Sequence, residues 1–83
     1  MPVRGGKAKY TLSPLRVRLN PAPVWAFLEE QGISQNELAR QVGVSSGHLS
    51  RLINGRANPS PQLRRRLQRV LGVTDFYALF IAE

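Results

Sequence analysis

Apolar residues recur at helical spacing from Val24 to Phe80, in five short runs divided by caps and glycines. Val24, Phe27 and Leu28 make the first inward stripe. Leu38 and Ala39 make the second, and Leu49 and Leu52 the third. Leu63, Leu67, Val70 and Leu71 recur at i, i+4, i+7 and i+8, one face of a fourth helix. Phe76, Leu79 and Phe80 mark a fifth. The polar punctuation agrees. Asn20-Pro21 and Ser60-Pro61 each put a capping side chain before a proline at the first helical position. Ser34 and Glu37 have capping-box spacing, in which each side chain satisfies the other residue's backbone donor. Ser45 caps the third helix and Thr74 is the expected cap of the fifth, while Gly32, Gly43, Asn54-Gly55 and Gly72 mark helix ends. These signals predict an all-α bundle of five short helices without an internal repeat.

Upstream of Asn20 the pattern changes. Leu15-Arg-Val-Arg-Leu19 alternates apolar and basic residues, a weak strand signal with no partner strand evident, so an extended lead-in packing one edge on the core is expected. Residues 1–14 lack apolar periodicity. The expected organisation is a flexible basic arm over residues 1–19 and a folded domain over residues 20–83.

The stretch Gln35–Asn54 carries the most information. Leu38 and small Ala39 face inward from one helix, Gly43 supplies a tight turn, Val44 plugs the corner, and Leu49 and Leu52 face inward from the next helix. A helix-turn-helix needs these residue types at these places, and its second helix presents its N-terminal polar residues outward, where DNA-binding proteins read base edges.

Composition sharpens this reading. The 83 residues suffice for one domain with a modest core. There is no cysteine, which excludes disulfides and thiolate metal sites and fits the cytoplasm. No apolar run has the length of a membrane span. Twelve Lys and Arg against five Asp and Glu give a net charge of +7, which favours polyanionic partners. The cations are clustered: Arg4, Lys7, Lys9, Arg16 and Arg18 precede the first acidic residue, and Arg64, Arg65, Arg66 and Arg69 form a second group. With five acidic residues and one histidine, too few groups remain for most active sites, so no enzyme, cofactor or metal site is expected.

Ser34-Gln35, Leu38-Ala39, Gly43-Val44-Ser45, Leu49-Ser50-Arg51-Leu52, Asn54-Gly55-Arg56, Pro59-Ser60 and Leu71-Gly72-Val73 resemble the Cro and phage-repressor type of helix-turn-helix domain, also called the xenobiotic-response-element type. The resemblance covers about residues 24 to 80, most of the chain. It implies a five-helix, lambda-repressor-like fold, sequence-specific DNA binding and a dimer on a two-fold operator. The basic arm is longer than this minimal domain needs.

The resemblance also assigns roles. Gln35 matches a glutamine that bonds a DNA phosphate and braces the recognition helix, and the open N–H groups at a helix start suit that job. Ser46, Gly47 and Ser50 match base-facing positions, with Arg51 close by. Arginine is the strong reader among them, through guanine, although a phosphate contact is equally open. Ser45 is foremost a cap. His48, without an acidic or cysteine cluster, is a helix residue within reach of a phosphate. Asn54, Arg56 and Asn58 lie in the loop that runs along the sugar-phosphate backbone in this family, with main-chain N–H groups as donors. One or two of Arg64, Arg65, Arg66 and Arg69 are expected to reach the DNA flanks, the rest to stay solvated or pair with Glu29, Glu30 or Glu37.

Trp25, Phe76, Tyr77 and Phe80 read first as core residues. The fifth helix lies at the family's usual dimer surface, which makes Tyr77, Phe80 and Ile81 candidate homodimer contacts. Arg4, Lys7, Lys9, Arg16 and Arg18 are candidate arm contacts to DNA; a passive tail, or pairing of Leu15–Leu19 with a second subunit, are the rival readings. The expected function is a sequence-specific double-stranded DNA-binding transcriptional regulator, a repressor, in the cytoplasm at the nucleoid. The alternative is an antitoxin-like or accessory protein-interaction module. The ending Phe-Ile-Ala-Glu fits a complete chain or a piece of a longer one.

Overall fold

The computed structural model describes residues 16–83. In chain order the elements are β1 (Val17–Leu19), α1 (Pro21–Gln31), α2 (Gln35–Val42), α3 (Ser46–Ile53), α4 (Pro61–Leu71), α5 (Phe76–Leu79) and β2 (Phe80–Ala82). Five helices form the fold, and a two-stranded antiparallel ribbon joins its two ends.

The helix starts follow from local chemistry. Asn20 Oδ1 accepts from the Ala22 N–H at 3.3 Å, and Ser45 and Ser60 Oγ accept from His48 and Leu63 N–H at 3.0 and 3.2 Å. Each satisfies a donor that the first helical turn leaves open. Two expectations need correction. Ser34 Oγ accepts from the Glu37 N–H at 3.1 Å, but the reciprocal half of the box does not form. The Glu37 carboxylate turns forward to Arg40 and to Gln41 Nε2 instead, because a charged guanidinium is a stronger partner than a neutral N–H. These two bonds, Arg40 first, hold the Glu37 carboxyl below the usual carboxylate range. The fifth helix is capped by Asp75, whose carboxylate accepts from the Tyr77 N–H at 3.1 Å, rather than by Thr74.

Gly43 makes the turn between α2 and α3. Its φ is +87°, and its N–H and that of Val44 both bond the Ala39 carbonyl, at 2.8 and 2.9 Å. A Cβ would be strained in that backbone, so glycine sets the sharp exit from α2. Close packing of α3 on α2 follows, with Ala39 nearly fully buried between them.

One core unites the elements. Leu19, Val24, Leu28, Leu38, Ala39, Val42, Leu49, Leu52, Ile53, Leu63, Leu67, Leu71, Leu79 and Phe80 are all buried. The strands add to the sequence-based picture. Val17 pairs with Ala82, Arg18 with Ile81 and Leu19 with Phe80, and Arg16 and Glu83 exchange backbone bonds of 3.2 and 2.8 Å beyond them. The lead-in thus has a partner, and residues 16–19 belong to the folded unit rather than to an arm. The partner is the tail of the expected fifth helix. Asn20 N–H takes the Leu79 carbonyl at 2.8 Å, so α5 stops after one turn and the chain extends through Phe80.

Two aromatics depart from the core reading. Trp25 is 47% exposed and Tyr77 is 74% exposed. Trp25 directly follows the buried Val24, so it points away from the stripe formed by Val24 and Leu28.

Candidate nucleic-acid interface

Gln35 is the first residue of α2. The Glu37 and Leu38 N–H groups are taken by the Ser34 side chain and carbonyl, which leaves the Gln35 and Asn36 N–H groups at the open helix end. Anions are attracted to such an end.

The outward face of α3 is polar. Ser46, Gly47 and Arg51 are exposed, and His48 and Ser50 are half-buried. Ser45 sits just before them as the cap, its hydroxyl oxygen committed to the His48 N–H. The Arg51 guanidinium lies back along the helix, as long helical side chains do. Its Nη2 is 3.4 Å from His48 Nδ1, and its Nη1 is 4.0 Å from where a Cβ on Gly47 would stand. Glycine at position 47 therefore leaves open the space beside this cation. Asn54 Nδ2 donates to Ser50 Oγ at 3.4 Å, so the serine keeps its own O–H for another acceptor.

The loop after α3 leaves the helix in two steps. Gly55 N–H bonds the Leu52 carbonyl at 3.2 Å and Arg56 N–H the Arg51 carbonyl at 2.8 Å. These two main-chain donors are spent within the chain, so among the loop's N–H groups they are not the ones open to a DNA backbone. The side chains of Asn54, Arg56 and Asn58 stay exposed, and Arg56 has no ion-pair partner among the described residues.

The strand β1 brings a further cation to this loop. Arg18 Nη1 is 3.7 Å from the position of a Cβ on Gly55, whose φ is +75°. Arg18 Nε and Nη2 donate to Glu83 Oε2 at 2.9 and 2.8 Å. Sequence reasoning found Arg18 but missed its carboxylate partner. The available signal was the opposite charge on two short apolar segments, one at each end of the domain. Arg16 is exposed at the start of the ribbon. Arg4, Lys7 and Lys9 lie outside the described residues.

The arginines of α4 divide. Arg64 has its Cζ 5.7 Å from the Phe76 ring centroid, a cation–π arrangement, while its Nε is buried without a hydrogen-bond partner among the described residues. Arg66 Cζ stands 4.0 Å from the Cβ position of Gly43, beside the α2–α3 turn. Arg65 and Arg69 are exposed. Among the described residues the ion pairs are Arg18–Glu83 and Arg40–Glu37, so of the two expectations for these arginines, solvation or pairing with Glu29, Glu30 or Glu37, the pairing does not form. The candidate dimer residues also divide. Phe80 is 1% exposed, part of the core, and is withdrawn as an interface residue; Tyr77 is open and Ile81 half-buried. No helix of the described residues is long and apolar enough to cross a membrane.

A helix-turn-helix family model matches residues 26–77. Over 55 residues the chain is 38% identical to an uncharacterized HTH-type transcriptional regulator of Methanothermobacter thermautotrophicus, a match covering 66% of this chain and 80% of that protein. No solved structure matches the chain.

Proposed function

Because the chain belongs to the Cro and phage-repressor type of helix-turn-helix family, we propose that it is a sequence-specific double-stranded DNA-binding transcriptional regulator, with α3 in the major groove. The observation that carries this reading is the exposed Arg51 on the polar outward face of α3, in a domain that also exposes Arg56 in the following loop and leaves the first N–H groups of α2 open. Phosphate contacts set register and base contacts set specificity. Gln35, with the open N–H groups of α2, takes one phosphate. Asn54, Arg56 and Asn58 follow the backbone on the far side. Between them Ser46, Gly47, Ser50 and Arg51 face the base edges, Ser45 holds the helix start, and His48 lies within reach of a phosphate. The arm cations Arg4, Lys7 and Lys9, and Arg16 at the start of the ribbon, add backbone contacts outside the groove.

Regulation is by repression, since a domain seated on an operator excludes other proteins by volume alone. A homodimer formed through Tyr77 and Ile81 would place two recognition helices on a two-fold site. The cytoplasm, at the nucleoid, is the place of action. A second reading, a protein-interaction module, is favoured by the exposed aromatic rings of Trp25 and Tyr77. Selection of bound sequences from a random duplex pool at about 150 mM salt separates them. A DNA reader enriches a defined motif, and its affinity falls with salt at a slope near −0.9 per phosphate contacted. Recovery of an unenriched pool with no salt slope would leave the interaction module.

A further inference from the structure

The Arg18–Glu83 pair borders the Asn54–Asn58 loop, the proposed backbone contact. Arg18 Nη1 is the guanidinium atom nearest Gly55, at 3.7 Å from its Cβ position, while Nε and Nη2 turn to Glu83. Glu83 is not a loose end. Its N–H and carbonyl both bond Arg16 in the ribbon, so its carboxylate is presented at a fixed place. We propose that Glu83 is a built-in electrostatic brake on DNA binding, holding Arg18 neutralised beside the Asn54–Asn58 loop until a backbone phosphate displaces the carboxylate. This inference rests on the DNA reading of that loop.

A guanidinium has five N–H donors, and Glu83 occupies the edge formed by Nε and Nη2, leaving Nη1 toward the loop. A phosphate approaching Nη1 would share the guanidinium with a carboxylate, and two anions on one cation repel. The edge occupied by Glu83 is also one of the two edges through which an arginine grips a phosphate with paired N–H bonds, and the other shares its Nη2. While the carboxylate stays, Arg18 is matched and adds little to counterion release. The brake is releasable because both side chains are partly open to water, 31% and 44% exposed, and such pairs are weakly held. Arg56, exposed in the same loop and without a carboxylate partner among the described residues, has no such restraint.

Glu83→Gln tests the brake, since the amide oxygen still accepts from Arg18 while the charge is gone. Binding to random-sequence duplex DNA should tighten several-fold at low salt, and the log affinity against log salt should steepen by about one unit. The preferred sequence should not change. The same substitution is then made in an Arg18→Gln background, which keeps much of the arginine stem. There its gain should shrink by about threefold or more, because close partners are not additive. Thermal unfolding of each variant identifies any loss of the ribbon itself. Equal gains in both backgrounds would overturn the proposal, reducing Glu83 to a distant charge. Weaker binding by Glu83→Gln would overturn it in the other sense, with the carboxylate a positioner of Arg18. A parent protein that binds no DNA would instead defeat the reading of the loop, on which the brake depends.

Discussion

Arg51 Nη2 stands 3.4 Å from His48 Nδ1, three residues apart on the outward face of α3. The contact draws the cation toward the first turn of the helix, the part that enters a major groove most deeply. Arg51→Ala should lose about 1–3 kcal/mol on the preferred site and relax the base preference at one position. His48→Ala should blur the same position more mildly, with random-sequence affinity nearly kept. Competition between preferred and single-base-altered duplexes measures both. Equal discrimination by parent and Arg51→Ala would remove Arg51 from the readout.

Arg56 should behave differently. It is exposed in the loop after α3 and carries no ion-pair partner among the described residues. Arg56→Ala should weaken specific and random DNA alike and lower the salt slope by about one unit. A loss confined to the preferred site would make Arg56 a base reader.

The ribbon should matter to stability out of proportion to its length. Leu19 is 0% and Phe80 1% exposed, and they face each other across the two strands. Phe80→Ala should cost about 3–5 kcal/mol and Leu19→Ala about 2–5, a large share of what a small domain has. Tyr77→Ala, at an exposed ring, should fall within about 0.5 kcal/mol. Urea denaturation followed by circular dichroism gives all three, and a Phe80→Ala protein as stable as the parent would mean that the ribbon is not part of the cooperative unit.

The helices were legible because their signals are local. Ser45 and Ser60 cap within three residues, and Gly43 ends α2 by its own backbone freedom. The run from Leu38 to Leu52 fixes the helix-turn-helix by spacing alone. The ribbon was not legible because its two strands are three residues each and lie at opposite ends of the domain. Phe80 reads equally as the next apolar position of a helix, and only Leu19 and the Asn20 N–H decide otherwise. Trp25 and Tyr77 misled for a related reason, since ring size suggests burial but their positions on the helices turn them outward. For the candidate interface, the outward faces of α3 and its loop follow from helix geometry. The Arg18–Glu83 pair depends on the ribbon register and was out of reach with it.

If the protein dimerises on DNA, the two recognition helices should lie about 34 Å apart, one turn of duplex, over a near-palindrome. With Phe80 committed to the core, Tyr77 and Ile81 remain to make the contact. Tyr77→Glu should then shift the protein toward monomer in sedimentation and weaken the full site more than a half-site. A monomeric parent with an asymmetric single-half footprint would contradict the dimer.

The arm is tested by deletion. Arg4, Lys7 and Lys9 are its three cations, on a chain with few apolar residues. A cut after residue 12 leaves Arg16 to Leu19 in place, and with them the pairing to Phe80–Ala82 and the backbone exchange between Arg16 and Glu83. The shortened protein should therefore unfold at the temperature of the parent. Its DNA affinity should fall several-fold, with a shallower salt slope, because basic arms follow the backbone or enter the minor groove beside a recognition helix. The arm would join the folded unit at Arg16, two residues from Arg18, which borders the α3–α4 loop, so arm and loop would engage neighbouring phosphates. Double mutation can check that neighbourhood: Arg56→Ala should cost less in the shortened protein than in the parent if the two share a stretch of backbone. Unchanged affinity after deletion would make residues 1–12 a passive tail. A marked drop in melting temperature would assign them to the fold.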